Sequence, residues 1–441
     1  MHPLPFILYH YWRAKYLARC FRTRADLLAW QDQQVQKFLR RILSRAPFYQ
    51  QQRDGRAIDD WQQWPTIDKA TMMANFDRLN TVGISQAAAF AVALRAEAAR
   101  DFSPTLGSIT VGLSSGTSGS RGLFLASEHE RYRWAGVALA KVLPSSLLTT
   151  QRVAFFLRAN SNLYTTVGSR HIRFEFFDLL DRLDQHVGRL NALQPTVVVA
   201  PPSLLRQLAE KSGRGALRIA PQKIVSVAEV LDPLDEALIQ AGFGQLVHQV
   251  YQATEGFLAS TCGYGTLHLH EEFVAIQKEY LDPALRKFSP IITDFNRTSQ
   301  PIIRYRLNDI LTERATPCPC GALTTALESI EGRCDDLFYL RSLANDHWVT
   351  IFPDFIRRAV ITSSPLIEAY RVRQLTPDQV EVALVVPIEH QPALQQTIRD
   401  ALQQLFVRLE CGQPQIRFCS LTAEPGLHKL KRVERCFVVE Q

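Results

Sequence analysis

The sequence predicts an α/β protein: a large region of mainly parallel sheet flanked by helices, followed by a smaller α+β domain. Three observations predict it. Between residues 128 and 250, short apolar strands alternate with amphipathic helices, the pattern of a parallel sheet with helices packed on it. Beyond Asp336 the order becomes helix, strand, strand, helix, strand over about 100 residues, enough for a unit of its own. The chain has 441 residues, too many for one simple core, so two or three domains are expected.

Near the start, Asp26 to Ser44 places Leu28, Val35, Phe38, Leu39 and Ile42 on one helical face, opening at a Thr23–Asp26 turn and closing before Pro47. Trp64-Pro65 reads as a turn into a further amphipathic helix around DKATMMANFDRLNT. Ser108 to Val111 is a short strand leading into Gly112–Phe124, GLSSGTSGSRGLF, and a helix follows over Glu128–Leu143. Arg152–Leu157, Thr196–Ala200, Lys223–Val227 and Leu246–Val250 read as strands, with helices over LLRQLAEK and Pro233–Gln240. In the last region, Phe352–Val360 and Pro392–Leu409 are helices, and Glu368–Gln374, Gln379–Val386 and Gln415–Cys419 are strands.

Composition narrows the function classes. With 46% apolar and 21% charged residues the chain has the make-up of an ordinary globular protein. No apolar run approaches the ~20 residues that span a bilayer. The first 20 residues carry Arg13, Lys15 and Arg19 among aromatics, so no secretory leader is read there and a cytoplasmic protein is expected. The net charge of +7 is spread along the chain, which suits phosphorylated small molecules or an acidic carrier protein. No nucleic-acid module is present, and no nucleic-acid or membrane partner is expected. A homodimer is left open.

The Ser/Gly stretch is the first candidate site. Glycines let backbone N–H groups converge on one point and hydroxyls add donors, so the loop is built to cradle phosphate oxygens. It is not a Walker loop, since no Gly-Lys-Ser/Thr follows at the required spacing. A flexible Ser/Gly linker is the alternative reading of the same composition.

Eight cysteines in a chain without a leader point to thiols or metal ligands, not disulfides. Cys318-Pro319-Cys320-Gly321 is a pair of soft ligands in a tight turn, and Cys262 and His268 lie upstream in TCGYGTLHLH, with His270 as an alternate. Three thiolates and one imidazole would close a tetrahedral structural zinc site.

Five stretches occur in order: SSGTSGSRG at 114–122, YQATEG at 251–256, RYRLND at 304–309, EGRCDD at 331–336 and HKLKRV at 428–433. Together they resemble the adenylate-forming superfamily of acyl-CoA synthetases and adenylation domains, with the nearest likeness to the phenylacetate–CoA ligase branch and its coenzyme-adenylating relatives. The likeness runs over nearly the whole chain, through APFYQ, APPSLL and SVAE.

The resemblance implies a large N-domain of several subdomains over 1–334, a small mobile C-domain over 335–441, and two half-reactions. A carboxylic acid, aromatic by preference, attacks ATP to give acyl-AMP. A thiol of coenzyme A or of a carrier protein's phosphopantetheine then takes the acyl group. The alternative is a nucleotidyltransferase that leaves AMP on its product.

In that reading Ser114, Ser115, Gly116, Thr117, Ser118, Gly119 and Arg121 hold the β- and γ-phosphates, with Arg121 standing where the family usually has a lysine. Ala228, Glu229 and Tyr251 line the adenine, Thr254 contacts the α-phosphate, and Glu255 binds magnesium, a hard carboxylate for a hard ion. Asp309 accepts from the ribose hydroxyls, Arg333 reaches ribose or phosphate, and Asp335 is the hinge. Lys429 meets the charge that develops during adenylation, with Lys431 as the alternate. Phe155, Phe156, Arg158, Asn160, Asn162 and Tyr164 fall in the region of the acid pocket.

Overall fold

The structure, a computed structural model, describes residues 3–101, 103–114, 121–157, 166, 168–169, 171–345, 347–421 and 431–439. It divides into two compact units. The first comprises Met1–Leu231, Asp235–Leu307 and Thr312–Ser329; the second comprises Asp232–Leu234, Asn308–Leu311 and Ile330–Gln441.

The first unit opens with helix α1 (Leu4–Cys20) and helix α2 (Arg24–Ile42). Thr23 caps α2 in a reciprocal box with Asp26, satisfying two N–H groups that the first turn leaves without helical partners. The face turned to the core is Leu27, Gln31, Val35, Phe38, Leu39 and Ile42. Leu28 is exposed and its neighbour Leu27 takes the core position, a one-residue rotation from the face read in sequence. The expected helix after Trp64-Pro65 is broken at Asn75 into α3 (Lys69–Ala74) and a single turn, Phe76–Leu79.

A three-stranded antiparallel sheet follows, β1 (Thr105–Leu106), β2 (Ile109–Leu113) and β3 (Leu123–Ala126). The Ser/Gly stretch therefore connects two strands that pair antiparallel, with Gly112 opposite Phe124 and Leu113 opposite Leu123. Helix α4 (Glu128–Val142) starts after β3, again with a capping box, Ser127 and Glu130.

The main sheet begins with five parallel strands: β4 (Gln151–Leu157), β5 (Ile172–Asp178), β6 (Val197–Ala200), β7 (Lys223–Ser226) and β8 (Val247–Ala253). They lie in the order β5-β4-β6-β7-β8. β6 and β7 are buried at every position, as expected for strands covered on both faces. Helices Leu183–Leu193 and Pro202–Gly213 contribute Leu190, Leu205 and Leu208 to the core on one face. Phe156 lies in that core, stacked on Phe177 at 4.5 Å, and is not a pocket wall.

After β8 the sheet turns antiparallel through β9 (Gly256–Thr261) and β10 (Leu267–Leu269). It continues through β11 (Ala275–Asp282), β12 (Lys287–Asp294), β13 (Ile302–Arg306), β14 (Asp309–Glu313) and β15 (Ala326–Arg333), giving twelve strands among the described residues.

In the second unit a four-stranded sheet holds β18 (Ala369–Thr376), β19 (Gln379–Val385), β20 (Gln415–Ser420) and β21 (Val433–Arg435), after a two-stranded ribbon of β16 (Phe338–Arg341) and β17 (Trp348–Ile351). Helices Pro353–Ile361 and Gln391–Arg408 supply Ile356, Val360, Ile398, Leu402 and Phe406 to its core. Asp232 is stitched into this unit by Arg357 at 3.2 Å and by the Tyr370 hydroxyl, which donates at 2.6 Å.

Candidate active site

Thr254 and Glu255 are the two-residue turn of the β8–β9 hairpin, whose flanking pair is Ala253 and Gly256. β8 is the last parallel strand and β9 the first antiparallel one, so the turn leaves the carboxyl end of the parallel sheet where the pairing changes sense. Ligands of open α/β sheets gather at such ends.

Glu255 is held in place. The Tyr305 hydroxyl, from RYRLND, donates to its Oε1 at 2.8 Å. Burial first, and then the Glu255 carboxylate, push the Tyr305 phenol far above its ordinary pKa, so it stays a donor at any working pH. The Thr254 carbonyl accepts from the Arg297 guanidinium, and the same guanidinium donates to the Leu125 carbonyl on β3 at 3.3 Å. Gln300 ties β3 further, accepting from Leu125 N–H at 2.8 Å and donating to the Leu123 carbonyl at 3.1 Å. The segment 294–300 is thus a brace joining the Thr254–Glu255 turn to the arm of the Ser/Gly hairpin. Neither Arg297 nor Gln300 belongs to a recognisable motif.

At the base of that hairpin Ser114 N–H donates to the Gly122 carbonyl at 2.8 Å, and Gly122 N–H donates to Ser114 Oγ at 2.7 Å. Ser115, Gly116, Thr117, Ser118 and Gly119 lie outside the described residues, as do Arg158, Asn160, Asn162, Tyr164 and Lys429. Arg121 forms a bidentate pair with Glu97, both contacts 2.6 Å, and must leave it to reach a phosphate.

A second cation lies at the same base. A Cβ added to Gly122 would stand 3.0 Å from Lys69 Cε and 3.3 Å from Ser114 Oγ. Lys69 is brought there because Ile67 pairs with the strand before Asp309, donating to Arg304 O at 3.0 Å and accepting from Arg306 N–H at 2.8 Å. Lysine 69 stands in no motif; only that pairing, 237 to 239 residues distant in sequence, marks it.

Ala228 has φ +68°, the left-handed region that a residue with a Cβ enters only at a cost. Such strain is held where surrounding structure over-determines it, and it falls within SVAE. Glu229 accepts from Ser203 N–H at 3.4 Å, and Tyr251 is buried on β8.

Asp294 lies beneath the turn, 3.6 Å from where a Gly256 Cβ would be. Burial pushes its carboxyl up to about 6, although Arg297 and Arg133 pull it down. The folded protein therefore holds this proton more tightly than the unfolded chain, and stability contributed at low pH is lost as pH rises from about 4 to 6. Relative to Asp294→Asn, the parent should lose about 3 kcal/mol across that window, from the shift of roughly two units. Urea unfolding of both proteins at several pH values measures it; parallel curves would mean Asp294 titrates as in water.

In the second unit Asp309 lies 4.0 Å from Arg333 Nε, so the two motif residues share one corner. Asn308 Nδ2 donates to Asp335 Oδ2 at 2.5 Å, and Cys334 N–H to Asn308 O at 3.0 Å. Gly332 has φ +136°, which the turn into Cys334–Asp336 needs. Lys431 is bound to Asp336 at 2.9 Å and Glu434 at 3.5 Å. Burial pulls the Lys431 ammonium down, but the two carboxylates outweigh it and leave the pKa raised.

Cys262, His268, Cys318 and Cys320 converge in the first unit, their ligand atoms all within 4.8 Å of one another. Cys262 Sγ lies 3.7 Å from Cys318 Sγ, and Cys320 Sγ lies 3.3 Å from His268 Nε2. His268 Nδ1 faces the Thr324 carbonyl at 3.4 Å, a partner that favours Nδ1–H and leaves Nε2 as a ligand. Gly321, at φ +73°, folds the knuckle back and donates to Cys318 O at 3.1 Å. His270 is excluded: it is buried with its nitrogens on Ser260 Oγ at 2.8 Å and Phe257 O at 3.1 Å. The donor set and spacing fit a tetrahedral zinc ion.

No protein-family model matches the sequence, and no curated protein matches it. Solved structures do match its fold. A 2-hydroxyisobutyryl-CoA ligase, solved in the postadenylation state with an acyl-AMP, is 16% identical with a TM-score of 0.66, over 91% of this chain and 88% of that one. The acyl acid amido synthetase AtGH3.15 is 12% identical with a TM-score of 0.58, over 92% and 89%. The amide bond synthetase McbA from Marinactinospora thermotolerans is 16% identical with a TM-score of 0.51, over 72% and 66%. The chain shares the fold of this CoA ligase and these two synthetases.

Proposed function

We propose that this protein is an ATP-dependent acid ligase that makes an acyl-AMP and passes the acyl group to a thiol. The observation that carries the reading is the Arg297 brace. One guanidinium ties the Thr254–Glu255 turn to β3, the strand that follows the Ser/Gly stretch, which supports a carboxylate suited to a cation working beside a segment suited to phosphates.

The substrate carboxylate would bond to the α-phosphorus as the bond to the leaving pyrophosphate breaks. Bound magnesium would offset the triphosphate charge, held by Glu255, with Thr254 at the α-phosphate. Ser114 and the rest of the Ser/Gly stretch, with Lys69 or Arg121, would take the outer phosphates. Tyr251, Ala228 and Glu229 would form the adenine wall. Asp309 would accept from the ribose hydroxyls with Arg333 beside it. Asp336 and Glu434 employ Lys431 structurally, which favours Lys429 as the residue that meets the transition-state charge. A zinc ion at the Cys262–His268–Cys318–Cys320 cluster would be structural, since four protein donors leave it no open position.

The fold neighbours divide over the acceptor. The hydroxyisobutyryl ligase has been solved with CoA, whereas McbA and AtGH3.15 are amide-forming synthetases. A thiol is our first choice of acceptor and an amine the second; AMP left on the product is the remaining alternative. The test is ATP–pyrophosphate exchange across aromatic and aliphatic carboxylic acids without acceptor. Exchange with one acid class, lost in Lys429→Ala and kept in Lys431→Ala, is expected. ATP binding without exchange for any acid would refute the ligase reading.

A further inference from the structure

A cleft of about 300 Å³ opens in the first unit between α1, α2, α4 and the turn after β12. It uses none of the residues assigned to the nucleotide or the metal. α1 contributes Tyr9, His10 and Arg13; α2 contributes Gln34, Lys37, Phe38 and Arg41; α4 contributes Arg133; Phe295 and Asn296 complete it. Residues 34, 37, 38 and 41 follow the helical repeat, so α2 presents them from one face.

Four cationic side chains and a histidine line this cleft, and no carboxylate does. Among the described residues no carboxylate lies within salt-bridge distance of half-buried Arg13 or of Lys37 and Arg41, which are exposed. Arg133 donates to the Asn296 carbonyl at 2.7 Å, yet its Nε is buried without a hydrogen-bond partner, as is His10 Nδ1.

The carboxylates that act on Arg133 through charge, Asp294 and Glu130, take their hydrogen bonds elsewhere. Asp294 accepts from Asn296 N–H at 2.9 Å, and Glu130 accepts from the backbone of Thr298 and Ser299 and from Ser127. The mutual repulsion is felt: burial, then Arg133 and Arg13, then His129 bring His10 down to about 4. Burial lowers the guanidinium pKa of Arg13 as well. Converging like charges at this density cost stability unless an anion offsets them.

We propose that this cleft binds a phosphate-class dianion, either free phosphate or the phosphate monoester of a small metabolite, at a site separate from the nucleotide. Guanidinium forks match phosphate oxygens in pairs, and Arg13 and Arg133 supply two from different helices. The cleft also adjoins the catalytic brace in sequence: Asn296 lines it, and the next residue, Arg297, holds the Thr254 carbonyl.

The test is calorimetric titration of the full chain with inorganic phosphate and with methyl phosphate, at constant ionic strength against chloride, with ATP and magnesium already saturating. One saturable site is expected, weakened at least about tenfold in Arg13→Gln and in Arg133→Met, each removing a charged hydrogen-bond donor. Ser114→Ala, at the base of the Ser/Gly hairpin, should leave it unchanged. Comparable affinity for methyl phosphate would identify a monoester site, and selective binding of phosphate a site for the free anion. Absence of saturable binding, or binding lost in Ser114→Ala and kept in Arg13→Gln, would overturn the proposal. Arg13→Gln is the decisive variant should Arg133→Met fold poorly, because Arg13 lies on a terminal helix and is half-buried.

Discussion

Glu255→Gln should lower acid-dependent ATP–pyrophosphate exchange by roughly two to three orders of magnitude while leaving the fold intact, the size expected for losing one preorganised charge at a phosphoryl centre. The amide keeps the shape of the side chain and an oxygen to accept from Tyr305, so the two-residue turn has no reason to move. What is lost is the negative charge, and with it a hard ligand for magnesium. Tyr305→Phe does the opposite: it leaves the charge and frees the carboxylate to rotate. That variant should be milder, about tenfold, and should show as a raised magnesium requirement with a largely preserved rate at saturation. The pair of results separates charge from position. Exchange by Glu255→Gln at the parental rate, with the parental magnesium dependence, would remove Glu255 from the proposed chemistry.

The partnership between Glu255 and Tyr305 also shows what a sequence can and cannot disclose. Each residue stands in its own motif, and the motif order alone pointed to a nucleotide site. That a phenol from RYRLND holds the carboxylate of YQATEG is a contact 50 residues apart, set by where β13 pairs with β12. Local signals were legible. The Thr23–Asp26 cap, the apolar runs of β4, β6 and β7, and the helix–strand order of the second unit all follow from propensity and period.

The hairpin carrying the Ser/Gly loop was not, because β3 is four residues long and reads as the end of the loop. The brace was hidden for a different reason. Arg297 and Gln300 act on backbone carbonyls and N–H groups, and a backbone group carries no sequence signature. Asp232 was hidden by distance: its partner, the Tyr370 hydroxyl, stands 138 residues away. In the cysteine cluster the sequence offered two histidines; packing decides between them, because His270 Nε2 and Nδ1 are already occupied in the core.

That choice makes the metal the second large effect. The purified protein should carry close to one zinc per chain by elemental analysis, and Cys318→Ser should lose it. Cys318 is the buried cysteine of the set, in contact distance of Cys262, and the two lie in separate connections, β9 to β10 and β14 to β15. Without the ion these connections keep contacts such as Arg314 donating to Thr266 Oγ1 at 3.2 Å and Gly321 N–H to Cys318 O, and the cluster becomes a group of close, mutually desolvated thiols. Structural zinc sites in small domains are worth about 10–16 kcal/mol of apparent binding energy. Here the ion would join two connections of a twelve-stranded sheet that has a core of its own, so the expected loss is limited to local order. A destabilisation on the order of 4 kcal/mol is expected, large for one substitution, and about 6 °C in melting temperature for a unit of this size. His268→Gln should behave like Cys318→Ser. His270→Gln should retain the zinc and lose only the hydrogen bonds to Ser260 and Phe257, so metal content and stability part company between the two histidines. Protein isolated without stoichiometric metal, melting at the same temperature as Cys318→Ser and indifferent to a chelator, would show that the cluster is four reduced side chains and nothing more.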